Sequence, residues 1–504
     1  MRQFLELAHN STILDTIRGS SVAKQLGLET HSIDFIPLNQ RYGKSRDLFF
    51  LWFGANAQMA VVTTGILTIV PHFGFIWAAL GILIGSLLGS IFMAFHSAQG
   101  PHLGIPQMIQ SRAQFGYYGA VIPLFMVVAM YLGFYAAGAV IGAEALALLF
   151  HLPIYMGILI SSAIDLLLVI GGYRFIHRFN HVMAYFFSLI FLVITILLIW
   201  GPGLGKGFDH ATFYGHFMLG PFLLSISLAV INTLGYAPYV ADYSRYLPEK
   251  TTIKSTFWYS YVGVSFSNVW LMILGAAVQV QSPHSNPMIG FFHLGSSLFP
   301  LFGLLVLLAG WLGIISINAL NIYGTFMSTL TITTTFYRRW KPTVRLRLWF
   351  IIPIVFVATY VSFFDKSHLL TSFESFLTFL IDFLVPWTAI NLTDFYLVRG
   401  GQYDVGAIFN PKGSYGRLNV TAMVCYFGGF VAEMPFMNNS FYEGPIAKIL
   451  GNGDISWVVG LVVAGLLYWI GGKRSTAKLG KTVDSQFDVR DNKGVIQQQG
   501  SRGP

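Results

Sequence analysis

Apolar residues along this chain run on for a whole bilayer crossing at a time, without strand alternation or the narrow stripe of an amphipathic helix. A crossing helix needs roughly 17–25 such residues. Twelve runs qualify, near 48–70, 74–96, 117–149, 153–172, 181–200, 219–241, 257–280, 297–333, 348–364, 373–397, 418–436 and 455–471. The third and eighth exceed one crossing, which predicts helices that tilt or protrude. The first is weak, because Asn56 and Gln58 interrupt it. The pattern predicts an all-α integral membrane protein with twelve transmembrane helices.

Span 6 is the most informative of these. It runs apolar from Phe222 to Ile231 and then continues as N-T-L-G-Y-A-P-Y-V-A-D-Y-S-R-Y-L-P, Asn232 to Pro248. Proline removes a backbone donor and clashes with the preceding turn, and a charge at bilayer depth costs several kcal/mol. Such a stretch persists where it is buried in protein or lines a watery cavity. Span 1 has its own interruption in G-A-N-A-Q, Gly54 to Gln58. The two breaks lie five spans apart, so their helices run in opposite directions, the pattern of two inverted five-helix repeats. This divides the chain into an N-terminal tail 1–46, a first repeat 47–201, a second repeat 202–399, two further helices in 400–472 and a disordered tail 473–504.

Composition agrees with the pattern. Hydrophobic residues make up 55% of the 504 and charged residues 10%, against roughly 25% charged in soluble domains. The net charge of +9 needs no nucleic-acid partner. All but three of the 30 Lys and Arg fall in the tails and the loops on one side, leaving Lys206, Lys366 and Lys448 on the other. The positive-inside rule then puts both termini in the cytoplasm, with the chain in the plasma membrane. The cluster Arg338, Arg339, Lys341, Arg345 and Arg347 reads as part of this topological charge. The single cysteine, Cys425, excludes a disulfide framework or thiolate metal cluster and reads as a small core residue. Met1 to Arg46 is long and polar, unlike a signal peptide.

The words L-W-F-G-A-N (Leu51 to Asn56), Q-M-I-Q-S-R-A-Q-F-G-Y-Y-G (Gln107 to Gly119), G-Y-R-F-I-H-R-F-N (Gly172 to Asn180), A-D-Y-S-R-Y-L-P (Ala241 to Pro248), N-A-L-N-I-Y-G (Asn318 to Gly324) and N-L-T-D-F-Y-L-V-R (Asn391 to Arg399) occur in this order. With them the chain resembles the nucleobase:cation symporters, in particular the purine–cytosine permease branch. The resemblance implies a leucine-transporter-like fold of two inverted five-helix repeats, with substrate and coupling ion between spans 1, 3, 6 and 8.

A nucleobase is a flat ring with donors and acceptors on its edge, so a selective pocket needs an aromatic face and side-chain amides. The resemblance places Gln58 after the span-1 break at a substrate-contacting position, Asn232 of span 6 at a hydrogen-bonding one, and Asn318 and Asn321 of span 8 on the asparagine pair of the fungal permeases. Three residues apart on a helix, that pair shares a face. Phe134 falls where relatives place a stacking tryptophan, and Thr233 on a usual aromatic, for which Tyr236 is the substitute. The loss of the tryptophan and the asparagine pair lean toward cytosine or purines.

For the coupling ion, the resemblance puts a Na⁺ site on the carbonyls of Gly54 and Ala57 with Gly313 and Ser316 of span 8. Ile317 stands where a second hydroxyl is expected, so that site is short of an oxygen ligand and H⁺ is favoured over Na⁺. A proton carrier is an acid near the midplane. Glu144 lies about 15 Å along its helix from Phe134, near a surface; Asp165 and Asp382 lie deeper, and Asp382 is the expected carrier because span 10 borders the substrate path. Asp242 and Arg245 read as a gate pair or as a structural pair anchoring the loop. No cofactor, metal or enzymatic activity is expected: H-E-x-x-H, G-x-S-x-G and Walker A sequences are absent, and His96 and His102 lack a partner in sequence. The expectation is a secondary active importer of a nucleobase in membrane lipid, with the oligomeric state left open and a monomer sufficient. The alternatives are a Na⁺-coupled importer of a related heterocycle (allantoin, hydantoin, uracil or a thiamine-like ring), a membrane-embedded enzyme, or a channel.

Overall fold

The structure is a computed structural model and describes residues 33–171, 173–200, 210–283, 286–337, 344–365 and 368–483. Among them, ten helices are long and apolar enough to cross a membrane. The pair Asp47–Asn56 and Met59–Ile66, bent by 60° at its break, makes an eleventh if counted as one span, and Val420–Phe436 is a shorter apolar helix. These segments fall on the twelve apolar runs and keep their span numbers below. The basic residues Lys206, Arg338, Arg339, Lys341 and Lys366 lie outside the described residues, as does residue 484 onward. The helix that fills span 12, Ser456–Val483, continues past the apolar run into the segment expected to be a disordered tail. Its continuation mixes the good helix formers Lys, Arg, Ala and Leu with Ser, Thr, Gly and Val.

Span 3 (Val121–Phe150, 30 residues) and span 8 (Pro300–Phe336, 37 residues) are the overlong helices. At 1.5 Å per residue the latter reaches about 55 Å, so it projects beyond the hydrocarbon layer. The two pack along one another, while span 2 (Phe75–Leu103) packs against span 6 (Leu219–Ser244) and span 7 (Ile253–Gln281). Span 10 (Leu369–Val398) contacts the span 11 and span 12 helices. Backbones approach closely where glycines meet: a Cβ on Gly65 would lie 2.0 Å from the Met272 carbonyl oxygen, and one on Gly275 would lie 2.0 Å from that of Val62. Small residues that let helices touch are the usual packing device in lipid, where apolar burial between helices brings no hydrophobic gain.

The two breaks differ in form. In span 1, Ala57 and Gln58 leave the helix, Gln58 with extended φ −154° and ψ 160°. In span 6 the helix ends at Leu234, a turn passes through Gly235 and Tyr236, and a 3₁₀ turn Ala237–Tyr239 leads into Val240–Ser244. Span 6 stays one span without the sharp bend of span 1. Gly235, Tyr236 and Val240 keep near-helical φ and ψ while Tyr239 departs to φ −138° and ψ 5°, so the break at Pro238 interrupts the hydrogen-bond ladder without the sharp bend of span 1.

At one end of the bundle a short helix, Gln107–Phe115, lies between spans 2 and 3. Arg112 on it donates to Thr335 Oγ1 at the end of span 8 (2.9 Å) and stands over the Tyr117 ring. The segment from Ile36 to Tyr42 crosses the same end: Ile36 N donates to Gly104 O, Arg41 to Pro101 O (2.7 Å), and Tyr42 N to Tyr246 O. Between spans 11 and 12 lies a two-residue hairpin, Asn438–Asn439 with Tyr442–Glu443, the strand in an otherwise helical architecture.

Candidate substrate site at the paired breaks

The breaks of spans 1 and 6 touch. The Tyr236 hydroxyl donates to Asn56 Oδ1 (2.9 Å) and lies 3.4 Å from the Ala55 carbonyl oxygen. Gln58, held in extended conformation between the halves of span 1, comes within hydrogen-bonding reach of the same hydroxyl. Beside this junction opens a cavity of about 210 Å³, which reaches Ile33, Arg245 and Thr331 at the end of the bundle where the Gln107–Phe115 helix lies.

Several expected residues line this cavity: Gln58, Tyr236 and Asn321 for substrate, Gly54, Ala57, Gly313 and Ser316 for a cation, and Asp242 and Arg245 near its mouth. Ser316 Oγ and the Asn180 amide lie 2.5 Å apart, and the Gly54 carbonyl accepts from Ala57 N at 3.2 Å. Ile317 is also in the wall. At the mouth, Asp242 Oδ1 accepts from Gln107 N at 2.7 Å, where a carboxylate complements the helix N-terminus. Arg245 donates to the carbonyls of Asp242 and Asp34 (both 3.1 Å).

Three expected substrate residues stand behind the wall. Asn232 is buried in a network with Asn56 (3.5 Å) and Asn268, and Asn268 in turn donates to Ser86 Oγ (2.8 Å). Asn318 has no exposed surface, donates to the Tyr135 carbonyl (3.3 Å) and accepts from Asn321 Nδ2 (3.4 Å). The asparagine pair therefore stands in series, Asn321 at the cavity and Asn318 behind it. Phe134 packs edge-on against Phe376 (5.2 Å) and Phe373 (6.4 Å) of span 10 and does not reach the cavity wall.

The aromatic wall comes instead from Tyr236, the expected substitute, together with Trp52, Tyr131, Tyr239 and Tyr243, which the sequence did not single out. Trp52, one turn before the span-1 break, packs against Tyr236 (5.7 Å), Tyr243 (5.5 Å) and Tyr239 (6.5 Å), and Tyr239 against Tyr131 (5.4 Å). All five line the cavity. The buried Trp52 Nε1 has no acceptor among the described residues, an arrangement that is costly unless a ligand supplies one.

Asp382, the expected proton carrier, is away from the cavity. Its carboxylate accepts from Asn439 Nδ2 (3.0 Å) in the hairpin and from Ser456 Oγ (3.2 Å) at the start of span 12. It joins span 10 to the appended helices.

The words Gln107–Gly119 and Asn391–Arg399 meet in space. Asp394 accepts from Arg399 Nε (3.0 Å), Gln114 Nε2 (2.9 Å), Tyr403 OH (2.6 Å) and Tyr468 OH (2.9 Å). Gln99 donates to Asn391 (2.8 Å). His96 finds the partners that were absent in sequence: its Nδ1 lies 3.1 Å from Gln107 Nε2, and its ring stacks on Trp387 at 4.8 Å. Burial, reinforced by the Asp394 carboxylate, raises the Tyr403 hydroxyl well above its ordinary range, so it remains a donor to Asp394.

A helical bundle with a cavity at two touching helix breaks defines a secondary transporter of the leucine-transporter-like fold. The family profile for permeases of cytosine/purines, uracil, thiamine and allantoin matches residues 35–460, and the chain belongs to that family. YxlA of Bacillus subtilis (strain 168), provisionally named a purine-cytosine permease, is 41% identical over 446 residues, 88% of this chain and 95% of YxlA. The purine-cytosine permease fcyB of Emericella nidulans is 26% identical over 469 residues, 89% of each chain. Among solved structures, the inward-facing conformation of Mhp1 aligns with a TM-score of 0.71 at 18% identity, over 90% of this chain and 95% of Mhp1. A closed Mhp1 with bromovinylhydantoin bound, described as a nucleobase-cation-symport-1 family transporter, gives 0.70 at 18% over 90% and 96%. The relatives are permeases, and the chain is a transporter rather than an enzyme.

Proposed function

We propose that the protein imports a nucleobase, cytosine or a purine, by H⁺ symport through alternating access. The observation that carries this reading is the cavity at the paired breaks, where the Gln58 and Asn321 amides converge with the Tyr236 hydroxyl and the Trp52 indole. Amides offer both donors and acceptors, as a nucleobase edge requires, and the aromatic rings supply a stacking face. A volume of about 210 Å³ is below the roughly 300–1,000 Å³ typical of drug-sized ligands and suits one small ring system. Relatives named as purine-cytosine permeases support the substrate class.

Two bundles rock about this site, one containing span 2 with spans 6 and 7 and the other span 3 with span 8, each drawing helices from both repeats. Arg41, Arg112, Arg245 and Arg399 gather at the end of the bundle that the cavity reaches, Arg245 in its wall, so by the positive-inside rule the cavity opens to the cytoplasm of a plasma-membrane protein with both termini inside. Asp242 and Arg245 then stand at the inner gate. Phe134 reaches the substrate on closure from this open state.

Na⁺ coupling, with a related heterocycle as cargo, is the second reading, favoured by the presence of Gly54, Ala57, Gly313 and Ser316 in one cavity wall. Ile317 and the engagement of Ser316 with Asn180 weigh against it. A thermal-shift screen of heterocycles with and without Na⁺ decides between them. Stabilisation by cytosine or a purine without Na⁺ supports the proposal, stabilisation that requires Na⁺ supports the second reading, and no response to any heterocycle of the screen refutes both.

A further inference from the structure

We propose that Asp165 carries the coupling proton and that Asn318 links it to the substrate held at Asn321. This deepens the transport reading above and rests on it. Asp165 lies in mid-span 4 (Ile154–Gly171) with no exposed surface, and among the described residues neither of its carboxyl oxygens has a hydrogen-bond partner. An ionised carboxylate without donors at this depth costs several kcal/mol, so in this state the group is a neutral acid.

Donors stand close without completing a bond. The Tyr135 hydroxyl and the Asn318 amide both approach the carboxyl, yet Tyr135 donates to Ser162 Oγ (3.0 Å), which also accepts from Thr359 (2.9 Å). Asn318 is turned toward span 3, donating to the Tyr135 carbonyl, while its Oδ1 receives Asn321. The facing groups are thus Tyr135 from span 3, Asn318 from span 8 and Thr359 from span 9. Arg347 of span 9 donates to the Val169 carbonyl one turn further along span 4.

Asn321 is the member of this chain that faces the cavity. A substrate that takes the Asn321 amide removes the hydrogen bond that holds Asn318. The freed Asn318 amide oxygen can then turn toward Asp165 and accept from the protonated carboxyl, so that bound substrate tightens the hold on the proton and the two are carried together. Asn318 is here a positioning residue, and Gly138 keeps it in place: a Cβ there would lie 2.7 Å from Asn318 Oδ1. Linkage is reciprocal, so the substrate changes proton affinity by the same factor that the proton changes substrate affinity.

The test uses the full chain, purified and reconstituted, with radiolabelled adenine and cytosine. A one-unit pH gradient driving one proton per substrate sustains about tenfold accumulation. The wild type is expected to reach it, and Asp165→Asn, which mimics the protonated acid, to give no accumulation while keeping counterflow. In detergent, substrate Kd of the wild type shifts by up to about tenfold per pH unit, and that of Asp165→Asn is flat. Asp382→Asn keeps both coupling and pH dependence. Proton-driven accumulation by Asp165→Asn equal to wild type overturns the proposal, as does a pH-independent wild type. If Asp165→Asn binds nothing, Asp165→Glu decides: restored pH-dependent binding supports the assignment, and restored pH-independent binding, or none, overturns it. A wild type that binds no nucleobase overturns the transport reading as well.

Discussion

Replacing Asn321 with alanine separates substrate recognition from fold stability. In the empty site Asn321 makes one side-chain hydrogen bond, Nδ2 to Asn318 Oδ1, at a long 3.4 Å. Its loss leaves the buried Asn318 Oδ1 without that donor and costs the fold about 1–3 kcal/mol. Its side chain faces the cavity, where the proposal gives it one or two hydrogen bonds to the ring edge. Each contributes about 0.5–1.5 kcal/mol net, with about 1–3 kcal/mol if a buried substrate group is left unpaired. The sum is on the order of 1.5–3 kcal/mol, which raises substrate Kd by roughly ten- to a hundredfold. Equilibrium binding of radiolabelled adenine to purified protein gives Kd, and a melting curve without ligand gives stability. An unchanged Kd refutes the role of Asn321. A fall in ligand-free stability larger than the loss of binding shows instead that the residue is interhelical glue.

Other perturbations test neighbouring parts. Asn318→Ala, which removes the group behind Asn321, is expected to abolish nucleobase uptake while surface expression persists; unchanged uptake removes Asn318 from the path. Trp52→Phe keeps the ring and deletes the unpartnered N–H, so Kd is expected to rise up to about tenfold at constant melting temperature, whereas Trp52→Ala loses about 3–5 kcal/mol of packing and lowers the melting temperature. Asp394→Asn, which strips the charge partner of Arg399, is expected to cost about 3–5 kcal/mol, seen as a lower melting temperature and a lower yield of monodisperse protein.

The span pattern was legible because lipid requires long apolar runs, and the break in span 1 because Asn56 and Gln58 interrupt one. The family words implied a site between spans 1, 3, 6 and 8, and residues of all four spans line the cavity. What the sequence could not show was helix rotation. Asn318 and Asn321 share a face at three-residue spacing, but Gly138 of span 3 lets that helix approach so closely that Asn318 is enclosed and Asn321 alone meets the cavity. Phe134 was expected at the substrate, yet Phe373 and Phe376 of span 10 hold its ring aside. Trp52 was hidden by abundance, since 16% of the residues are aromatic; its position one turn before the break was the available signal. Asp382 and Asp165 looked alike as isolated acids in apolar runs. Their difference lies in long-range partners, Asn439 and Ser456 for the first and none completed for the second.

The central claim is carrier-mediated nucleobase transport through the cavity at the paired breaks. Its most direct measurement is counterflow in proteoliposomes of the full chain preloaded with unlabelled adenine or cytosine. Transient uptake of labelled substrate above equilibrium, lost in Asn321→Ala, is the predicted result. Labelled substrate entering no faster than into vesicles without preload, or counterflow undiminished in the variant, contradicts the account.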